Sequence, residues 1–287
     1  MALTISPEWA RIIDDYALHL AAADRSPNTI RARREQLQHL ARRIGVAPEA
    51  VTSALLLRFV GGQTWQTETR RSRYSGLREF FKWARRVGWI EKNPAKHLPT
   101  VKPAEPNPDP VPRAVFDQSV RRVDERTALM MRLAHDAGLR RGEIAVVHSD
   151  DLRQDLLGWS LLVHGKGRRK RIVPLTPRLA LDLRALTPGY AFPGAIDGHL
   201  SPRRVGELLR DAIPGHWTGH KLRHSFGTNV NDETEGDVMT VGGLLGHRNL
   251  STVPRYVKPS DFTRRKAVYG AAGYPAPERP IRHLEAI

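Results

Sequence analysis

Apolar residues recur at helical spacing over most of this chain. Ser6-Pro7 reads as an N-cap followed by proline at the first helical position, and Trp9, Ile12, Ile13, Tyr16 and Leu20 then fall on one face. The device returns at Ser26-Pro27, with Ile30, Leu37, Leu40 and Ile44 as the stripe. Ala47-Pro48-Glu49 predicts a third helix running through Leu56 and ended by Gly61-Gly62. A fourth is predicted from about Thr69 to Arg86, burying Tyr74, Leu77, Phe80, Phe81 and Ala84. Six prolines between Pro99 and Pro112 then interrupt the pattern with a semi-rigid extended connector.

Beyond the prolines the period changes. Helical patterns at 114–123 and 128–137 lead to Gly138, a plausible helix C′ residue, and then to a short helix containing Ile144. Leu156-Leu157, Gly158, Trp159 to Val163, Gly165-Lys166-Gly167 and Ile172 to Leu175 read as short strands joined by turns. Helical spacing resumes at 177–186 and 205–209, then in the segment around His220. The expected fold is mainly α with a small antiparallel sheet, an α+β chain. Its parts are a helical domain over 1–98, a linker over 99–112, a second domain over 113–260 and a tail over 261–287.

Charge narrows the partner. The 287 residues carry a formal net charge of +16, and the pI is near 10.8. The stretches before and after Leu98 share that charge about equally, so both are expected to touch a polyanion. Nucleic acid is the expected class, because no long apolar run suggests a membrane. Arg31, Arg33, Arg34, Arg70, Arg71 and Arg73 on the first domain, with Arg168 and Arg169 in the glycine-flanked turn, are the candidate DNA contacts. A solvated basic surface is the plain alternative, but acidic partners look scarce around them. Zero cysteines exclude disulfides, thiolate metal sites and thiol catalysis. Met1-Ala2-Leu3-Thr4 does not open a signal peptide, which implies action in the cytoplasm or nucleoid.

The candidate chemistry lies toward the C-terminus. His220 and Arg223, at i and i+3, share a helix face and could hold one oxyanion. His247 follows Leu244, Leu245 and Gly246, just past a predicted helix end. Tyr256 comes nine residues later, and a phenol can act as a covalent nucleophile where its anion is stabilised. Arg140 and Glu143 could by themselves be an i, i+3 surface ion pair. The clustered histidines lack the carboxylate that a His-Glu-x-x-His or facial-triad metal site needs, so neither a metal nor a cofactor is expected. His224, Phe226 and Val230 read as packing residues.

Taken in order, Gly138-Leu139-Arg140-Arg141-Gly142-Glu143, Gly165-Lys166-Gly167, His220-Lys221-Leu222-Arg223-His224, Leu245-Gly246-His247 and Tyr256 resemble the tyrosine recombinases of the phage integrase family. The likeness spans roughly residues 7–260 and includes Ser26-Pro27-Asn28-Thr29-Ile30 and Leu77 to Ala84 of the family's core-binding domain. It implies a tyrosine-recombinase catalytic domain behind a helical core-binding domain, without the arm-binding domain of larger members. It further implies that Arg140 and Arg223, with His247, hold the scissile phosphate, that Glu143 supports Arg140, and that Lys166 is the general acid. His220 is then the base toward Tyr256, which attacks to form a 3′-phosphotyrosine. The implied partners are double-stranded DNA core sites and three further protomers in a homotetramer. A temperate phage integrase is the expected role. A Xer-like or transposon or plasmid-resolving recombinase, a type IB topoisomerase and a non-catalytic DNA-binding protein are the alternatives. Pro254 and Gly227 depart from the family pattern without removing a reacting group. Phe262, Ala267, Val268 and Tyr269 form a small apolar set, stopped by Gly270, Gly273 and Pro275, that is expected to dock on a neighbouring subunit.

Overall fold

The computed structural model describes residues 4–103, 109–165, 169–246, 268, 269 and 271. The chain divides into two compact units, Met1–Glu105 and Pro106–Ile287, and the division falls inside the proline-rich run.

Among the described residues, the first unit holds four α-helices, α1 (Pro7–Ala22), α2 (Pro27–Ile44), α3 (Ser53–Gly61) and α4 (Thr67–Arg86). Ser6 and Ser26 cap the first two, each accepting a backbone N–H three residues on, with proline at the first position. The third helix begins later than the sequence pattern predicts. Pro48–Ala50 form one 3₁₀ turn, Val51 is extended and buried, and the Thr52 hydroxyl accepts the Leu55 N–H to start a new helix. Trp9, Tyr16, Phe80, Phe81 and Trp83 centre the core, with the Trp9 indole donating to the Val46 carbonyl at 2.8 Å. Gly76 lets α4 approach α2 closely, since a Cβ there would lie 2.5 Å from Oε1 of Gln36.

The second unit continues with α5 (Arg113–Arg122), α6 (Glu125–His135) and the short α7 (Arg141–Ala145). A three-stranded antiparallel sheet follows in the order β1 (Leu152–Asp155), β2 (Gly158–His164), β3 (Lys170–Pro174). Here the structure differs from the pattern again: Leu156-Leu157 are the fully exposed turn of the first hairpin, not part of a strand. Asp155 makes that turn, accepting the N–H groups of Leu157 and Gly158. Next come α8 (Pro177–Arg184), the short strand β4 (Pro193–Ile196), α9 (Pro202–Ala212), α10 (Gly219–Glu233) and α11 (Val238–Leu245). Met130, Met131, Leu133, Ile144, Leu161, Phe192, Val205 and Leu222 are core residues of this unit. A satellite cluster of Phe226, Val241 and Leu245 fixes α11 against α10. No helix among the described residues is long and apolar enough to cross a membrane.

Candidate active site

Cationic side chains and the acceptors that hold them come together from several elements, among them α7, α10 and the end of α11. Gly138, at φ +65°, turns the chain after α6 and leads into Arg140, the residue that caps α7. The Arg140 backbone N–H donates to Oε2 of Glu143 and its Nη1 donates to Oε1, both at 2.8 Å. Glu143 is buried, whereas the Arg140 side chain is 42% exposed. On α10, Arg223 is only 1% exposed. Its guanidinium donates to the carbonyls of Gly138 and Leu245, and Nη1 lies 3.8 Å from Oε2 of Glu143. Those acceptors offset the cost of burying its charge.

The third element is the end of α11. Gly246, at φ +63°, closes this helix in the left-handed conformation. Its last carbonyls point at the same group of cations: Leu244 accepts from Arg171, Leu245 from Arg223 and Gly246 from Arg140. Carbonyls at a helix C-terminus have no partner inside the helix and carry the negative end of its dipole, so they suit arginines. Arg171 arrives from β3 and grips both oxygens of Glu143, at 2.9 and 2.8 Å. Burial alone would raise the Glu143 carboxyl; the hydrogen bonds and charge of Arg171, then those of Arg140, outweigh it and hold the group at about 2. One carboxylate thus faces three guanidinium groups, which leaves an excess of positive charge suited to an anion.

His220 stands one turn before Arg223, with its Nε2 3.0 Å from Nε2 of His224. The His220 ring keeps a solvent-facing edge, yet desolvation, then the charges of Arg223 and Arg140, lower its pKa below the usual histidine value. Desolvation and the neighbouring His220 bring His224 down further, to about 4. Both shifts favour the neutral rings, which suits a hydrogen bond in which one ring donates to the other.

Of the residues singled out in the sequence, Arg140, Glu143, Arg223 and His220 come together. Lys166, Arg168, His247 and Tyr256 lie outside the described residues; His247 follows directly after Gly246, and the pairing of Gly165 with Arg169 brackets Lys166. His224, read as a packing residue, is half-buried and lies against His220. Arg171 and the carbonyls ending α11 carry no sequence signal that separates them from neighbouring basic and apolar positions. Among the described residues no group of three or more His, Asp or Glu could hold a metal ion.

The arginines of the first unit have more acidic partners than its composition suggests. Arg33 pairs with Glu79, Arg34 with Asp14 and Arg71 with Glu68. Arg70 donates to the carbonyls of Val60 and Gln63, and Arg73 lies 4.6 Å over the Trp65 ring. Arg31 and Arg169 are exposed.

Comparison with known proteins points one way. The sequence model described as the phage integrase family matches residues 114–262. The tyrosine recombinase XerC of Chromobacterium violaceum is 30% identical over 277 residues, covering 88% of this chain and 91% of that protein. Among solved structures, a lambda integrase dimer bound to a COC′ core site superposes with a TM-score of 0.71 at 18% identity, covering 88% of this chain and 77% of the other. The XerH site-specific recombinase bound to palindromic difH gives 0.69 at 16% identity, covering 88% and 81%. At those identities the two structures speak for the fold.

Proposed function

The chain belongs to the phage integrase family of tyrosine recombinases, enzymes that cleave and rejoin DNA strands, and from that premise we propose that it is a site-specific recombinase acting through a 3′-phosphotyrosine. The supporting observation is the convergence of Arg140 and Arg223 on one buried carboxylate, beside His220, whose pKa desolvation and those two arginines lower. In this reading the two guanidinium groups and His247 stabilise charge developing on the non-bridging phosphate oxygens, each well-placed donor contributing about 2 to 4 kcal/mol. Glu143 orients Arg140. His220 accepts the Tyr256 proton as the phenolate oxygen attacks phosphorus, and Lys166 gives a proton to the departing 5′ oxygen. The P–O bond to DNA is exchanged for one to tyrosine, so a 5′ hydroxyl from a second duplex can reverse the step without ATP.

The partner is double-stranded DNA carrying core-type sites, and four protomers serve the four strand cuts on two duplexes. Insertion and excision of a phage genome is the proposed role. The likeness to XerC over most of both chains favours a second reading, resolution of joined replicons, and recombination assays on attachment-site pairs against directly repeated identical sites separate the two.

Tyr256→Phe tests the chemistry. The phenyl ring preserves packing and lacks the nucleophile, so the variant is expected to bind core DNA and to give no covalent adduct with a nicked suicide substrate on a denaturing gel. An adduct in the variant refutes the assignment of Tyr256.

A further inference from the structure

Of the basic residues in the second hairpin, Arg171 behaves unlike a surface cation. Its side chain is 12% exposed and binds Glu143 with both terminal nitrogens. Its Nε donates to the Leu244 carbonyl at 2.8 Å. One side chain therefore joins β3 to α7 and to the end of α11. The fit is close on both sides. A Cβ on Gly246 would lie 3.1 Å from the Cδ of Arg171, so the turn leading to His247 rests on the arginine shaft. On the hairpin side, Gly165 donates to the Arg169 carbonyl at 2.7 Å, and a Cβ on Gly165 would lie 3.6 Å from Oε1 of Glu143. The neck of the hairpin, one residue before Lys166, is thus held against the carboxylate that also orients Arg140.

We propose that Arg171 is a positioning residue for strand cleavage. It fixes the hairpin that carries Lys166 relative to the phosphate-binding arginines, so that the acid meets the 5′ oxygen. Only a planar fork can hold both carboxylate oxygens and the Leu244 carbonyl together; a lysine keeps the charge and loses that geometry. Displacing a reacting group by about 1 Å can cost roughly a hundredfold in rate. The proposal rests on the assignment of Lys166 as general acid, and the experiment separates the two.

Arg171→Lys and Lys166→Ala are compared with the wild type in single-turnover cleavage of two suicide substrates, one with the normal bridging 5′ oxygen and one with sulfur there. A thiolate leaves without protonation, so a defect in acid delivery is relieved by sulfur. Gel shift and thermal melting accompany each variant. Arg171→Lys is expected to bind DNA and to fold, to cleave the oxygen substrate roughly ten- to a hundredfold more slowly, and to recover most of that loss on sulfur. With Lys166→Ala rescued, equal slowing of Arg171→Lys on both substrates, or wild-type cleavage of the oxygen substrate, overturns the positioning role and leaves the acid in place. A Lys166→Ala variant that sulfur does not rescue removes the acid assignment, and this proposal with it. If Arg171→Lys does not fold, Arg171→Gln serves as the second variant. It keeps a planar terminal amide and loses the bidentate grip on Glu143, and the same criteria apply.

Discussion

A methyl group at Gly138 would have nowhere to go. At φ +65° a Cβ would stand 2.3 Å from the Phe226 ring, and the Gly138 carbonyl is an acceptor for Arg223. Gly138→Ala is expected to lose about 2 to 4 kcal/mol, from left-handed strain plus overpacking, measured by denaturant unfolding. The glycine was legible in the sequence as a helix terminator; its second duty, as backbone ligand to an arginine 85 residues away, was not. Local rules read a turn, and long-range acceptors leave no trace in composition. Acid should act on two other residues here. Glu143 is lowered from 4.5 to about 2, so its contribution, about 3 kcal/mol, is full above pH 4.5 and is lost as pH falls toward 2. His224 is lowered from 6.5 to about 4, so the unfolded chain binds more protons between those values and stability declines as pH drops through that window. Unfolding free energies taken from pH 7 to 3 should fall in both ranges. His224→Gln should flatten the upper one and spare the lower; an unchanged upper slope would remove His224 from the account.

Helices announced by a capping serine and proline, such as α1 and α2, are readable because cap, proline and apolar stripe agree within a few residues. The third helix departs from the sequence pattern because Pro48 also looks like a helix start, whereas the stronger cap is Thr52. The first hairpin was misread because two leucines resemble strand, and the Asp155 side chain that turns them outward acts through its own backbone neighbourhood. Element α11 deserves the sharpest test, being eight residues long and ending in carbonyls that hold three arginines. Asp237 caps its start, accepting the N–H groups of Met239 and Thr240 at 2.9 and 3.2 Å. Asp237→Ala should lower stability by removing that cap. Because α11 orients Arg140, Arg171 and Arg223 from its far end, cleavage on a suicide substrate should slow while gel-shift affinity, set mainly by the many phosphate contacts, changes little. Equal cleavage at saturating protein would show that the far end holds without the cap.

At the scale of the whole molecule, the sequence conveyed two basic parts and a proline-rich division, and it placed Arg140, Glu143, His220 and Arg223 in one site through their order along the chain. Net charge could not say which arginines are already engaged: Arg33, Arg34 and Arg71 hold carboxylates of their own unit. Assembly is the question that remains at this scale, and we propose that the segment after Ser260 acts between protomers. Val268 is helical and 65% exposed, while Phe262 and Ala267 lie outside the described residues. An exposed apolar side chain gains by docking on another surface. If a neighbouring subunit supplies that surface, removing the segment leaves each protomer's grip on a single core site intact, because the cations of both units remain. Assembly of four protomers on two duplexes then fails, and recombination fails with it. A chain ending at Ser260 is therefore expected to match the full chain in single-site gel shift, to lose crosslinked tetramers, and to lose recombinant product. Unchanged recombination by the truncated chain would refute the docking role outright.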